Sequence, residues 1–260
     1  MTPYLAAISV YPVKSLDGVA LTQATVLESG ALQHDREFAL FDEQGRFVNG
    51  KRNAKVHLLR STFDAHFKQL SLQIQGTNHS VDFHINDERT DLETWLSNYF
   101  GFPVKVGQNT LTGFPDDTNA PGPTVISTGT IEEVASWFPR VSVDEMRVRL
   151  RANLEISGVP PFWEDQLFTE AGHGVQFQIG GVLFEGINPC QRCVVPTRNS
   201  KTAEVTANFQ KIFVAKRKET LPPWANMNSF NHFFRLSVNT KVPSEAGVLR
   251  IGDTVNIIRN

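Results

Sequence analysis

Short hydrophobic runs, separated by polar turn signals, follow one another through residues 1–90. Where hydrophobic and polar positions alternate within such a run, a half-buried strand is favoured. We predict strands at Tyr4–Val13, Val19–Leu27, Glu37–Phe41, Val56–Phe63, Phe67–Ile74 and Ser80–Ile85. Several short strands at this spacing are typical of a barrel or a closed, twisted sheet.

The pattern changes after this region. Leu92, Trp95, Leu96 and Tyr99 have helical spacing and predict a helix over Asp91–Phe100. Residues 107–123 contain three prolines, several glycines and two aspartates, which favours a linker. We therefore expect a domain boundary there, between residues 1–110 and 120–260.

The second half is predicted to be β-rich as well. Thr130 and Glu133 have the spacing of a capping box in front of a helix over Ile131–Phe138. A strand over Arg147–Ile156 would place Arg147, Arg149, Arg151 and Asn153 on one face. Further strands are predicted at Val175–Ile187, Phe233–Val238 and Gly247–Ile258, with a helix over Ala203–Lys216. The whole pattern indicates a β-rich α+β fold with a few helices.

Composition limits the classes of partner. Of the 260 residues, 40% are hydrophobic and 20% are charged, which is ordinary for a globular protein. The net charge of −2 gives no overall attraction to nucleic acid or anionic membranes, so any basic site must be local. Lys14 follows the first apolar run instead of preceding it, which argues against a signal peptide. We expect a cytoplasmic protein with neither a nucleic-acid nor a membrane partner.

The two cysteines lie in the sequence N-P-C-Q-R-C-V-V-P-T, with Arg192 between Cys190 and Cys193. An arginine beside a thiol favours the thiolate, which binds metals and attacks electrophiles. Two alternatives stay open, because free cysteines often only pack in a core, and a CxxC pair can bind zinc. The seven histidines show no H-x-x-x-H spacing, and the sequence nominates no further zinc ligands.

Basic residues stand at several predicted turns, as in Lys14-Ser15, Asp35-Arg36 and Lys51-Arg52. Together with the predicted arginine strand they suggest a cradle for phosphate or carboxylate, although each could equally be a solvated surface charge. Glu164 and Asp165 fall in a predicted loop, where carboxylates are usually solvated. The chain contains no G-x-S-x-G, Walker or G-x-G-x-x-G motif.

Five short motifs together resemble MOSC proteins. They are Y-P-V-K-S (11–15), H-D-R (34–36), R-L-R-A-N-L-E-I-S-G (149–158), P-C-Q-R-C (189–193) and L-R-I-G-D-T-V (249–255). The chain is most similar to the YcbX-like branch and the mitochondrial amidoxime-reducing component. The resemblance implies an N-terminal MOSC β-barrel domain followed by a MOSC β-barrel domain with a few helices, the second carrying the cysteine loop.

The resemblance also implies a molybdenum cofactor, in which molybdopterin holds the metal. Cys193 matches the metal-binding and catalytic position, while Cys190 matches a cysteine that does not bind the metal. A soft thiolate suits such a metal. The implied cofactor-binding residues are Lys14, Ser15, Arg36, Lys51, Ser127, Thr128, Arg149, Arg151, Asn153, Arg192 and Phe233. Among them, Lys14, Ser15 and Arg36 match the groups that hold the pterin phosphate.

The sequence also departs from the family pattern. Ala152 replaces a proline, Lys51-Arg52 stands where T-A-R-Q is common, and Phe233 replaces a tyrosine. The segment V-V-P-T-R-N after Cys193 and the segment Val159–Pro161 differ as well. The resemblance places these changes around the substrate, so it specifies the cofactor better than the substrate.

The resemblance favours an oxidoreductase that reduces N-hydroxylated or related N–O and S–O compounds. YcbX-like proteins often carry a four-cysteine ferredoxin-type domain, whose cysteines this sequence lacks. We therefore expect a small-molecule substrate and a separate ferredoxin- or flavoprotein-type electron donor, unless the sequence belongs to a longer protein. The alternative function is a non-catalytic carrier of the cofactor, or of sulfur as a Cys193 persulfide. A nucleic-acid-binding barrel is disfavoured by the net charge and by the absence of interleaved aromatic residues.

Overall fold

The computed structural model describes residues 2–169, 173–243 and 247–258. The strands are β1 Tyr4–Val10, β2 Val19–Leu21, β3 Gln23–Val26, β4 Phe38–Phe41, β5 Leu59–Phe63, β6 Gln69–Ile74, β7 Ser80–His84, β8 Lys105–Gln108, β9 Val125–Ser127, β10 Leu154–Ser157, β11 Val175–Ile179, β12 Val182–Gln191, β13 Arg235–Lys241, β14 Gly247–Arg250 and β15 Val255–Ile257. The helices are α1 Arg89–Phe100, α2 Thr128–Ser136, α3 Val143–Leu150 and α4 Phe209–Glu219, and short 3₁₀ helices cover Ala54–Leu58, Trp163–Gln166, Val195–Thr197 and Met227–Ser229. The predicted β-rich α+β fold is confirmed. Within the described ranges, every helix is too short or too polar to span a bilayer.

The largest sheet has eight strands in the order β15-β11-β12-β13-β9-β10-β1-β2. Its far side returns to β1, because the Leu5 N–H donates to the Asp253 carbonyl and the Gly252 N–H donates to the Leu5 carbonyl, both at 2.8 Å. A further bond of 2.9 Å joins the Val255 N–H to the Pro3 carbonyl. The sheet therefore curls, and individual hydrogen bonds join the beginning of β1 to β15 and to the turn before it.

The beginning of the chain belongs to this large sheet. Strand β1 pairs with β10, placing Ile8 opposite Leu154, and β3 pairs with β14. Leu5 and Ile8 lie in the same buried cluster as Phe177 and Phe184. The first strands are thus packed with the second half of the chain.

The rest of the first half has its own core. Strands β5, β6 and β7 form one small sheet and β4 and β8 another. One buried cluster contains Leu59 of β5, Leu72 of β6 and Leu96 of α1, together with Val13 and Val106. The boundary between residues 110 and 120 stays a prediction, and residues 1, 170–172, 244–246, 259 and 260 of the predicted ranges lie outside the described part.

Several element ends differ from the prediction for local reasons. The predicted strand over Val56–Phe63 begins as a 3₁₀ helix, because the Asn53 side chain accepts a hydrogen bond from the Lys55 N–H at 3.0 Å. Helix α2 is capped by Ser127, whose Oγ accepts from the Thr130 N–H at 3.1 Å, so the predicted capping box at Thr130 is wrong. Strand β12 extends further than predicted and includes Cys190.

The predicted strand over Arg147–Ile156 is also wrong. Residues 147–150 are the second half of helix α3, whose N-terminus is capped by the Ser142 hydroxyl. The helix ends at Arg151, which adopts the left-handed conformation with φ of 52°, and β10 begins only at Leu154. The arginines therefore do not share the face of a strand.

Glu164 and Asp165 are buried, so the predicted solvated loop is wrong. The two carboxylates lie in the 3₁₀ helix Trp163–Gln166 and are only 1% and 2% exposed. Asp165 pairs with the fully buried Arg217, and Glu164 accepts a hydrogen bond from the Thr130 hydroxyl at 3.0 Å. Burial, with the adjacent Asp165 charge, raises the pKa of Glu164 to about 7.

This pKa predicts how stability depends on pH. The pKa of Glu164 in the folded state lies above its ordinary value of 4.5. The protonated carboxyl therefore stabilises the fold fully below about pH 4.5, and this stabilisation is lost as the pH rises through about 7. We expect the free energy of unfolding in urea to fall between about pH 5 and pH 8, and Glu164→Gln to flatten this slope. Glu132→Gln, on the exposed face of α2, is the control and should keep the wild-type slope. An unchanged slope in Glu164→Gln would contradict the assignment.

Candidate functional site

A cavity of about 170 Å³ is lined by residues from both halves of the chain. Nine of the predicted site residues line it, namely Lys14, Ser15, Arg36, Lys51, Arg149, Arg151, Asn153, Arg192 and Cys193. Ser127, Thr128 and Phe233 lie outside its lining. The structure thus brings together residues that are up to 179 positions apart, from Lys14 to Cys193.

The cavity wall is strongly basic. Eight lysines and arginines line it against four aspartates, whereas the whole chain carries a net charge of −2. The positive charge expected from sequence to be local is therefore concentrated around one cavity. Such a wall favours an anionic ligand.

Lys14 and Lys51 share one carboxylate in this wall. The Lys14 ammonium donates to the Asp116 carboxylate at 2.9 Å and to the Phe114 carbonyl at 2.8 Å, and Lys51 reaches Asp116 at 3.3 Å. Burial alone would raise the pKa of Asp116, but the charges of Lys14 and Lys51 lower it well below its usual range. Asp116 is 59% exposed, so an incoming phosphate would compete with a solvated carboxylate for the two lysines.

Three of the lining residues have a left-handed backbone. Ser15, Arg36 and Arg151 have φ values of 75°, 53° and 52°. Residues other than glycine rarely adopt this conformation, and they cluster at functional sites when they do. Without glycine at these positions, the sequence carried no signal of this geometry.

Arg151 is held over the ring of Tyr11. Its guanidinium carbon lies 4.0 Å from the ring centroid, and that of Arg36 lies 5.3 Å away. In the described part of the chain the Arg151 guanidinium makes no hydrogen bond and no ion pair, whereas Arg36 pairs with Asp35. Burial lowers the pKa of Arg151, but an arginine stays charged in proteins. A cation with five N–H donors is thus positioned in the cavity wall without a counterion among residues 2–169, 173–243 and 247–258.

Tyr11 was not among the predicted site residues. Its N–H donates to the Asp35 carboxylate at 2.9 Å and its hydroxyl to the Ala152 carbonyl at 3.2 Å. The ring therefore joins the first loop to the Arg151 turn. Its place in Y-P-V-K-S was the only sequence signal.

Asn153 and Arg149 line the cavity but serve the fold. The Asn153 side chain accepts from the Thr124 N–H at 3.1 Å and donates to the Ser9 carbonyl at 3.0 Å. Arg149 is 4% exposed and donates to Glu145 at 2.6 Å. Their hydrogen bonds hold strands and helices in place, and their cofactor contacts stay a prediction.

The three residues outside the lining also have structural contacts. Ser127 caps α2, and the Thr128 hydroxyl is hydrogen-bonded to Ser157. Phe233 stacks on Phe230 with a centroid separation of 5.9 Å. Arg147 does not line the cavity, and its guanidinium pairs with the Glu155 carboxylate at 2.7 Å.

The cysteines are free and half-buried. The Arg192 guanidinium donates to Cys190 Sγ at 3.3 Å, so the arginine lies against the first cysteine. The Val195 N–H donates to Cys193 Sγ at 3.5 Å. The Cys193 sulfur therefore has a backbone donor on one side and lies in the basic cavity.

Sequence reasoning missed His57, Arg60, Asp116 and Arg198, which also line the cavity. No motif marked them, because none belongs to a recognised spacing of functional residues in the sequence. Among the described residues, no group of three or more His, Cys, Asp and Glu side chains is arranged to hold a metal ion. A metal at Cys193 would therefore have to bring its other ligands with it.

Comparison with known families supports the order of the two halves. The model of the MOSC N-terminal beta barrel domain matches residues 2–105, and that of the MOSC domain matches residues 124–256. Among solved structures, the YuaD protein from Bacillus subtilis aligns with 99% of this chain and 96% of its own, at 12% identity and a TM-score of 0.43.

Curated relatives include several proteins named molybdenum cofactor sulfurase. The one from Drosophila mojavensis is 27% identical over 279 residues, covering 94% of this chain but 33% of that protein. The one from Drosophila grimshawi is 24% identical and covers 100% of this chain and 35% of its own length. The human protein is 22% identical over 78% of this chain. This chain thus spans about one third of the length of the fly relatives.

The Arg36 loop offers a test of how the cavity is built. Gly113 has φ of +61°, and a Cβ there would lie 2.5 Å from the Asp35 carbonyl and 3.0 Å from the Arg36 carbonyl. Gly45 has φ of +70° with nothing within 4 Å. Gly45→Ala should cost about 1 kcal/mol from backbone conformation alone. Gly113→Ala should cost roughly 1–3 kcal/mol more from the clash, measured by urea unfolding. Equal losses in the two variants would contradict this packing.

Proposed function

Because the chain belongs to the MOSC family, we propose that it is a molybdenum-cofactor-dependent oxidoreductase that reduces N-hydroxylated compounds. The observation that carries the proposal is the meeting of the Cys193 thiol with the unpaired Arg151 guanidinium in one basic cavity. The curated relatives are also named for the molybdenum cofactor.

The donor set fits this cofactor better than a bare metal ion. The cavity is lined by the soft thiols of Cys190 and Cys193, without a cluster of three or more metal-binding side chains in the described residues. A metal that arrives with dithiolene sulfurs needs few ligands from the protein, and a thiolate matches its softness. A tetrahedral zinc site would need four protein ligands, or three protein ligands and a water molecule in the open position.

The basic wall fits the phosphate of the pterin. Lys14 and Lys51 converge on one exposed carboxylate, and Arg151 presents its donors without a counterion in the described chain. Arginine binds phosphate in bidentate fashion, and lysine adds a point charge. The rigid left-handed turns at Ser15, Arg36 and Arg151 would hold these groups ready for the ligand.

The reaction breaks the N–O bond of the substrate. An amidoxime takes up two electrons and two protons and leaves as an amidine and water. When bound, the cofactor supplies the two-electron redox chemistry at molybdenum. Cys193 would hold the metal, the basic residues would fix the distant phosphate, and the cavity walls would limit the access of bulk water.

The electrons would come from a separate ferredoxin- or flavoprotein-type donor, and we propose the cytoplasm as the compartment. The proposal includes neither a nucleic-acid nor a membrane partner. Substrates would be small molecules that reach the Cys193 side of the cavity.

A carrier function is the second candidate. It is favoured by the relatives named molybdenum cofactor sulfurase, of which this chain spans about one third. The same cavity would then hold the cofactor, or Cys193 would hold sulfur as a persulfide, for delivery to another protein. A carrier needs no turnover, and this separates the two functions.

Turnover tests the oxidoreductase directly. Cofactor-loaded protein with reduced viologen is expected to convert benzamidoxime to benzamidine, measured by chromatography. Cys193→Ser should lose this activity, and Cys190→Ser should keep most of it because only Cys193 matches the metal position. Loaded wild-type protein that does not turn over the substrate, but hands its cofactor to an acceptor protein, would favour the carrier.

A substitution of Arg151 tests the part of the cavity that is proposed to bind the pterin phosphate. Replacing Arg151 with methionine removes the guanidinium that would bind the pterin phosphate. We therefore expect the protein to retain about tenfold less pterin after dialysis. Pterin fluorescence after oxidation measures the retained cofactor. Arg46→Met, which removes an exposed arginine paired with Asp42, is the control. Equal pterin retention in both variants would argue against a cofactor-binding role for Arg151.

A further inference from the structure

A second group of basic side chains lines the same cavity. His57 belongs to the 3₁₀ helix Ala54–Leu58, Arg60 lies in β5, and Arg198 follows the 3₁₀ helix Val195–Thr197. None of the three belongs to the positions that the family resemblance assigned to the cofactor. They therefore need an explanation of their own.

The fold holds these side chains in fixed positions. Arg60 Nη2 donates to the His57 carbonyl at 2.8 Å and to the Ser200 carbonyl at 3.0 Å, joining β5 to the segment after the cysteines. Arg198 Nη1 donates to the Ala203 carbonyl at 3.2 Å. A Cβ at Gly50 would lie 2.8 Å from His57 Nε2 and 3.3 Å from Val195 Cγ2, so glycine lets the loop approach the imidazole closely.

Each of the three side chains retains an unused buried nitrogen. Within residues 2–169, 173–243 and 247–258, His57 Nε2, Arg60 Nε and Arg198 Nε have no hydrogen-bond partner. A buried donor without an acceptor costs free energy. The two arginine N–H groups, and His57 Nε2 in the tautomer that carries its proton there, are therefore suited to an acceptor that the protein itself does not supply.

The local charge is also poorly compensated. Arg60 has one carboxylate neighbour, Asp17 at 3.4 Å, and Arg198 has none among the residues that the structure describes. Burial lowers the pKa of His57, the close backbone of Gly50 opposes this shift, and the charges of Arg198, Arg151 and Arg60 add to it. On the other side of the cavity, Lys14 and Lys51 likewise share a single carboxylate, that of Asp116.

We propose that His57, Arg60 and Arg198 form a second anion subsite, which binds a carboxylate or phosphate group of the substrate. The inference rests on the proposed function and makes acidic N-hydroxylated compounds the preferred substrates. Arg198 lies five residues after Cys193, and the bonds from the Thr197 and Arg198 N–H groups to the Val194 and Val195 carbonyls, both 3.0 Å, make this segment one tight turn. The turn therefore connects Arg198 of the subsite to the segment that carries Cys193.

The test compares 4-carboxybenzamidoxime with benzamidoxime in the viologen assay. Wild-type protein should prefer the carboxylate by its kcat/KM, and Arg198→Met should reduce that preference about tenfold or more. Arg198→Lys, which keeps the charge, should retain part of the preference. Arg46→Met, remote from the cavity lining, should retain all of it. An unchanged preference in Arg198→Met and Arg60→Met would overturn the subsite.

A binding measurement separates this proposal from the proposed function. Calorimetry on cofactor-loaded protein should show 4-carboxybenzamidine binding more tightly than benzamidine, with the difference reduced in Arg198→Met. That result would support the subsite even if neither amidoxime is turned over. A second phosphate on the cofactor has the same chemistry as the substrate anion. If Arg198→Met loses pterin but keeps the binding difference, the anion belongs to the cofactor and the substrate subsite is wrong.

Discussion

The pairing of β1 with β10 is the contact on which the cavity depends. The Ser9 N–H donates to the Asn153 carbonyl at 2.8 Å, and the Asn153 side chain donates back to the Ser9 carbonyl at 3.0 Å. This pairing fixes the loop after β1, with Tyr11 and Lys14, beside the turn that carries Arg151. Without it, the basic residues of the first half would lie on a different part of the molecule from the cysteine segment.

The cavity combines local strain with an excess of positive charge. Left-handed backbone at Ser15, Arg36 and Arg151 costs free energy, and so does the crowding of arginines with few carboxylates. The large cores on either side supply the stability that maintains this arrangement. A bound anion would relieve the repulsion, so ligand binding and stability are expected to be coupled.

The sequence predicted the class of fold and several elements, because strand alternation and the spacing of α1 are local signals. It failed over residues 147–156, since arginines at alternate positions suit a strand but also a helix in which Arg149 pairs with Glu145 one turn earlier. The burial of Asp165 depends on Arg217, which is 52 residues away, so no local pattern could show it. Their turn positions suggested Lys14 and Arg36 for one anion cradle, but Cys193 was joined to them only through the family resemblance. His57, Arg60 and Arg198 were missed because only the folded chain brings them together.

The central claim is that Cys193 holds the metal of a molybdenum cofactor in this cavity. Elemental analysis of wild-type, Cys193→Ser and Cys190→Ser proteins, purified from a host that makes the cofactor, tests it most directly. We expect about one molybdenum per chain in the wild type and in Cys190→Ser, and a sharp loss in Cys193→Ser. Zinc that follows both cysteines, with neither molybdenum nor pterin present, would contradict it and return the CxxC pair to a structural or redox role.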